Sequence, residues 1–194
     1  GDERIYPASM TKIMTALLTI ENLPDLNETI TVPEDIFEEL TAQDASVAGF
    51  NPYEQPTVRD LLYGVLLPSG ADACETLARA VGGSEEGFVA MMNQKAEELG
   101  LTNTHFENCT GLHNDNHYST CRDIAVLMSE CLKSDTFREI VTREVYTTEA
   151  TASHPEGITL YDTMLHRFTS YEMSTTLENG AVIEGGKTGF TDEA

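Results

Sequence analysis

The segment Tyr6-Pro7-Ala8-Ser9-Met10-Thr11-Lys12-Ile13-Met14-Thr15 constrains this chain more than any other. Pro7 suits a helix entrance, because its fixed φ matches the first turn and its missing N–H is not needed there. Met10, Ile13, Met14, Leu17 and Leu18 then recur at helical spacing. That pattern predicts a helix over residues 9–22, with one face in the core and a stop before Pro24. Ser9 and Lys12 stand at i and i+3, so they lie side by side on it. Burial would desolvate the Lys12 ammonium and lower its pKa. A neutral amine beside a hydroxyl is a general base beside a nucleophile. Taken alone, the pair is also compatible with a surface lysine near a helix-start serine.

The remaining pattern is helical in the middle and extended at the ends. Residues 28–32 alternate as a short strand before Pro33, and a helical turn is expected over 35–40. Thr57 and Asp60 form a capping-box pattern for an apolar helix over 58–67, which ends at Pro68-Ser69-Gly70. A helix from about Asp72 to Ala80 stops at Gly82-Gly83, and Ser84 caps the next, which Gly100 terminates. Turn residues dominate 101–118. Thr120 with Asp123 caps a helix over 121–133, and Ser134 or Asp135 a short one through Val141. Strands are expected at 144–148 and 181–184, with a turn at His154-Pro155-Glu156-Gly157. The order is that of an α+β fold without internal repeats, one domain over 1–194. The chain starts one turn before its first motif and stops five residues after its last, which reads as incomplete at both ends, from a longer protein or else a trimmed form.

Charge narrows the partners. The formal net charge is −22, with only four lysines. A field of that sign opposes nucleic acid and anionic membrane surfaces, and it disfavours an anionic substrate unless a local cation holds it. The acidity itself reads as solubility or a salty habitat. No apolar run approaches the ~20 residues of a membrane span. Cys74, Cys109, Cys121 and Cys131 show no C-x-x-C pairing or zinc spacing. Cys74, Cys121 and Cys131 fall in apolar helical patterns and are expected as buried thiols; no disulfide is assigned.

Two further motifs accompany the first. Ser69, in Pro68-Ser69-Gly70-Ala71-Asp72, sits on a short loop between two apolar helices. Its hydroxyl is placed to relay a proton between Lys12 and a leaving amine, or else Ser69 or Asp72 caps the following helix. In Gly185-Gly186-Lys187-Thr188-Gly189 the glycines admit a ligand close to the backbone, and Lys187 with Thr188 suits a carboxylate. On an edge strand, Phe190 would pair with an extended peptide. The alternative is a solvated turn lysine.

In this order the three motifs resemble the S-x-x-K, S-x-N and K-T-G set of penicillin-binding proteins and serine β-lactamases. The flanks Asp2–Lys12, Asn103-Thr104-His105-Phe106 through Gly111-Leu112-His113 to His117-Tyr118-Ser119-Thr120, and Lys187–Ala194 resemble the low-molecular-mass D-alanyl-D-alanine carboxypeptidases. The resemblance implies a β-lactamase/transpeptidase-like α+β fold, with a helical region and the edge strand of an antiparallel sheet. It implies a serine DD-carboxypeptidase that removes the terminal D-alanine of peptidoglycan stem peptides and is acylated by β-lactams. By that similarity Ser9 is the nucleophile, Lys12 takes its proton, and Ser69 passes a proton to the leaving D-alanine. Lys187, Thr188, Gly189 and Phe190 bind substrate, and the N–H groups of Ser9 and Phe190 form the oxyanion hole. His117 supports the site without joining the catalytic set. No metal or cofactor is implied. An extracytoplasmic location follows from the family, with membrane association only through segments absent from this chain.

Two positions depart from the pattern. Ala71 stands where the family has Asn, which removes an amide expected on Lys12 and predicts weaker substrate positioning or a different proton path. Asp72 cannot replace that amide, because an ionised carboxylate only accepts. Asp162-Thr163-Met164 stands where Asn-Thr-Asn is usual. Without neighbouring strands Lys187 is expected to be loosely held. The competing readings are a catalytically impaired wall-binding or scaffold protein of this fold and a serine β-lactamase.

Overall fold

The structure is a computed structural model describing residues 1–171 and 174–190; Thr191–Ala194, within the third-motif resemblance, lie outside the described residues. Its centre is the helix that follows the first motif. A 3-10 turn over Ala8–Thr11 leads into α1 (Lys12–Asn22). The sequence pattern predicts one buried face, yet every residue from Lys12 to Thr19 is buried. The reason is its surroundings, for α1 packs against α3 (Val58–Leu66), α4 (Ala71–Gly82), α5 (Glu85–Glu98), α6 (Cys121–Cys131) and α7 (Asp135–Val141). A helix enclosed on all sides must satisfy its polar side chains internally. Thr15 Oγ1 does so by donating to Cys109 O at 2.7 Å, and Thr19 Oγ1 by donating to Thr15 O at 2.8 Å. Full burial of Ile13, Met14, Leu17 and Leu18 contributes roughly 1.5–3 kcal/mol each.

The helix boundaries follow the capping chemistry. Thr57 and Asp60 form the reciprocal capping box of α3, Gly83 ends α4 in the left-handed region at φ +75°, and Ser84 accepts from Gly87 N to start α5. Thr120 and Ser134 cap α6 and α7 in the same way. A further helix, α2 (Ile36–Ala42), packs on α4.

Strands are short. β1 (Arg4–Ile5) pairs antiparallel with β2 (Ser119–Thr120), placing Arg4 opposite Thr120. β3 (Val145–Thr147) pairs antiparallel with β4 (Thr159–Tyr161), with Tyr146 opposite Leu160. Neither β1 nor β4 is expected from the sequence pattern, and α8 (Leu165–Ser170) is not either. Residues 28–32 form no strand. A lone bridge joins Thr29 to Thr57, because this segment follows the chain leading into α3 rather than a sheet. The expected strand at 181–184 is likewise reduced to one bridge, Val182 to Thr176, and 183–190 runs without a ladder. Cys121 corrects a third expectation: it is exposed at the first residue of α6, whereas Cys74, Cys109 and Cys131 are buried free thiols.

Candidate active site

Ser9 lies on the 3-10 turn, one residue after Ala8, which is held at φ +48°. A non-glycine residue in that region is strained and must be fixed by its surroundings. Gly111 is part of the fixing: it has φ +83°, and a Cβ there would meet Ala8 O at 1.9 Å. Thr11, at the end of the turn, is held by His117, whose Nε2 is 2.7 Å from Thr11 Oγ1. Glu107 N donates to His117 Nδ1, so Nδ1 carries the lone pair and Nε2–H donates to Thr11. Burial pushes the His117 pKa down to about 4, which keeps the ring neutral at neutral pH.

Lys12 is 3% exposed, with Nζ 3.2 Å from Ser9 Oγ and 2.6 Å from Thr110 O. Burial lowers its pKa, partly opposed by nearby Cys74, Cys109, Asp72 and Glu75. A neutral amine has two N–H groups and one lone pair. Donation to the Thr110 carbonyl orients it, so that the lone pair can receive the proton of Ser9.

Lys187 is also buried and donates to Ser69 Oγ at 2.9 Å and to Thr188 O at 2.8 Å. The expectation of a loose Lys187 is therefore not met. Burial first, and the charge of Lys12 second, lower its pKa to about 7. Ser69 presents its hydroxyl from a turn between α3 and α4, at φ +67°. Thr188 Oγ1 lies 3.2 Å from Thr163 Oγ1, and Asp162 accepts from Met164 N and Leu165 N at the start of α8. The 162–164 segment thus stands beside the third motif despite its changed residues. A Cβ at Gly189 would meet Pro7 O at 2.6 Å, so only glycine lets this segment lie against the entrance to Ser9. Phe190 follows, 81% exposed at the rim.

Ser9, Lys12, Ala71 and Phe190 line one cleft of about 880 Å³, which runs between residues 44–46 and 107–114. Ser9, Lys12 and Phe190 share the cleft; Ser69, Lys187 and Thr188 form a second hydrogen-bonded set. Asp72 is not the N-cap of α4, a place taken by Gly70, although its Oδ1 accepts from Ala73 N in the first turn at 3.0 Å. Its carboxylate accepts from Ala48 N, Gly49 N and Phe50 N at 2.7, 2.9 and 3.0 Å, fastening the loop behind one cleft wall to α4. Sequence reasoning missed this clamp and the Thr110 carbonyl. A backbone acceptor leaves no trace in residue type, and the partners of Asp72 lie more than twenty positions away. It also passed over Glu75, although an acid between Cys74 and Thr76 in an apolar helix was a visible signal.

Among the described residues, three metal-capable groups converge at one place: Glu75, Glu85 and Cys109, with one donor atom of each within 4.8 Å of the others. They bond to one another at the edge of the cleft. Cys109 Sγ donates to Glu75 Oε1 at 3.3 Å, Cys109 N donates to Glu85 Oε1 at 3.2 Å, and the two carboxyls are hydrogen-bonded together.

The family model described as D-alanyl-D-alanine carboxypeptidase, peptidase S11, matches residues 1–194. D-alanyl-D-alanine carboxypeptidase DacF of Bacillus subtilis is 36% identical over 195 residues, covering 100% of this chain and 47% of that protein. DacC of Escherichia coli is 41% identical over 133 residues, covering 66% of this chain and 33% of that protein. The chain spans about half the length or less of such curated relatives. Among solved structures, the Streptomyces K15 DD-transpeptidase superposes with a TM-score of 0.84 at 33% identity, covering 100% of this chain and 74% of that one. That match establishes the β-lactamase/transpeptidase-like fold with its helices and short antiparallel strands. With a match along its whole length, the chain belongs to the peptidase S11 family, the D-alanyl-D-alanine carboxypeptidases.

Proposed function

We propose that this chain carries the catalytic centre of a serine DD-carboxypeptidase acting on peptidoglycan stem peptides that end in D-Ala-D-Ala. The observation that carries the reading is the buried Lys12 amine, 3.2 Å from Ser9 Oγ. Lys12 takes the proton of Ser9 as Oγ attacks the carbonyl of the penultimate D-alanine. The N–H groups of Ser9 and Phe190 receive the oxyanion. The terminal carboxylate binds at Lys187 and Thr188, and its arrival favours the charged form of Lys187. Ser69, held by Lys187, gives its hydroxyl proton to the leaving D-alanine nitrogen and regains one from the Lys12 ammonium, which returns the amine to its neutral form. Water then hydrolyses the acyl-enzyme and releases a peptide shorter by one residue. A β-lactam acylates Ser9 by the same attack, with its carboxylate in the same place.

The substrate lies outside the cytoplasmic membrane, so the protein works in the cell envelope. No helix among the described residues is long and apolar enough to cross a membrane. The wall-binding and β-lactamase readings have less support. Lys12 retains an orienting acceptor in Thr110 O despite Ala71, and the relatives DacF and DacC are D-alanyl-D-alanine carboxypeptidases. The test is labelling by a fluorescent penicillin with mass spectrometry of the modified peptide. One label per chain, on Ser9 and absent from Ser9→Ala, is expected; equal labelling of Ser9→Ala removes the assigned nucleophile.

A further inference from the structure

One feature of the cleft plays no part in the mechanism above. Glu75 projects from α4 one turn beyond Ala71 and lines the cleft together with Ser9, Lys12 and Glu85. Its side chain is 10% exposed. It faces Glu85 from α5, Cys109 from the loop after α5, Arg79 on its own helix with Nε at 3.8 Å, and the Lys12 amine from α1. Arg79 is itself engaged by Asp35 at 2.7 Å, so it does not neutralise the two carboxyls fully.

The pair is bonded to a telling place. Glu75 takes the thiol of Cys109 and Glu85 takes its N–H. Cys109 O accepts from Thr15 of α1, and the next carbonyl, Thr110 O, is the one that holds Lys12 Nζ at 2.6 Å. The two carboxyls thus grip the residue whose neighbour orients the general base.

We propose that Glu75 and Glu85, which hold the thiol and the N–H of Cys109, form a positioning pair that keeps the Cys109–Thr110 backbone against Lys12. The inference rests on the carboxypeptidase reading of the same cleft. While Glu75 holds its proton, its carboxyl bridges to that of Glu85. Once that proton leaves, two like charges repel across the bridge, and the grip on Cys109 loosens. The second charge also pulls Lys12 toward its ammonium form, which cannot accept the proton of Ser9. Both effects slow acylation. Burial and the charge of Glu85 raise Glu75 to about 7, which sets the range in which this happens. The pair supports chemistry through Lys12 and does not itself touch substrate.

The experiment is stopped-flow acylation of the chain by a fluorescent penicillin, with the saturating rate followed across pH. Saturation separates this step from Lys187, whose titration acts on binding. In the wild type the saturating rate is expected to fall ~3-fold or more as pH rises from about 6 to about 8.5, through the loss of the Glu75 proton. In Glu75→Gln and in Glu85→Gln the pair never carries two charges, so the rate stays level over the same range. If one variant fails to fold, the other carries the comparison. Profiles in the variants that fall together with the wild type overturn the positioning pair. A wild type that forms no acyl-enzyme on Ser9 overturns instead the reading on which it rests.

Discussion

Lys12 and Lys187 are both buried, yet they are held in opposite ways. Lys12 opens a helix enclosed by five others, and its partner Ser9 is three residues away. Lys187 rides a segment without strand pairing and reaches Ser69 across 118 positions of sequence. The first lysine is placed by secondary structure and core packing. The second is placed by side-chain contacts of its own segment: Ser69 on the ammonium, Thr163 on Thr188, and the Pro7 carbonyl against Gly189. Local geometry therefore protects the proposed base, whereas small disturbances along 185–190 should reach the proposed carboxylate site first.

Exchanging each lysine for glutamine tests the division most severely. Lys12→Gln removes the general base and should lower the saturating acylation rate by ~10²–10⁴-fold with binding little changed. Lys187→Gln should weaken β-lactam binding by ~10–10²-fold, the value of a charge-assisted hydrogen bond, with a smaller effect on the saturating rate. Concentration dependence of acylation separates the two. The pH dependence has a definite sign. The free-state Lys187 pKa is about 7, so affinity for the carboxylate falls as pH rises through that value. For folding the sign is opposite. The folded pKa lies below the ordinary value of 10.5, so the unfolded chain binds more protons between about 7 and 10.5. Stability contributed at this site therefore rises with pH across that window and is lowest below it. Lys187→Gln should flatten the trend in urea titrations. Equal losses in rate and binding for both variants would break the division.

The same division explains what could be read from the chain. Ser9 with Lys12, the Thr57–Asp60 box and the Ser84 cap are all i, i+3 relations, and each is present in the structure. Helix periodicity is a property of adjacent residues. The clamp of Asp72, the Thr110 carbonyl and the Lys187–Ser69 bond join residues 22 or more positions apart. Nothing local marks those partners; only the three-motif resemblance brought Ser69 and Lys187 together beforehand. The strand predicted near Lys187 failed for a related reason. Alternation in 181–184 states which residues could pair, while a ladder requires a neighbouring strand, and the described residues supply one bridge.

Gly189→Ala probes the weaker half without touching any functional group. Its Cβ would stand 2.6 Å from Pro7 O, and that contact can be relieved by moving residues 187–190 outward. A displacement near 1 Å at a binding site can cost ~10²-fold, so a loss of ~10–10² in acylation efficiency is expected, mostly through binding. The melting temperature should change little, since the segment lies outside the helical core. If instead the saturating rate collapses while binding persists, the segment serves Ser9 directly and the two lysine sites are not separable.

Ala71→Asn should have the smallest effect, and it probes the stronger half. Ala71 is 1% exposed at the cleft, where the resemblance places an amide on Lys12. If that amide were the missing support, restoring it would raise acylation by ~10²-fold, as expected for recovering an oriented base. The structure gives Lys12 another acceptor, Thr110 O at 2.6 Å, backed by Cys109 and Thr15. A second partner then adds little, because the amine is already oriented and a new hydrogen bond to an oriented group is worth only ~0.5–1.5 kcal/mol. The saturating rate of Ala71→Asn should accordingly stay within ~3-fold of the wild type, less than that hydrogen-bond value allows at its upper end. A rise of ~10²-fold would show that Thr110 does not orient the base. Lys12 would then depend, as Lys187 does on Ser69, on a side-chain partner rather than on a backbone carbonyl.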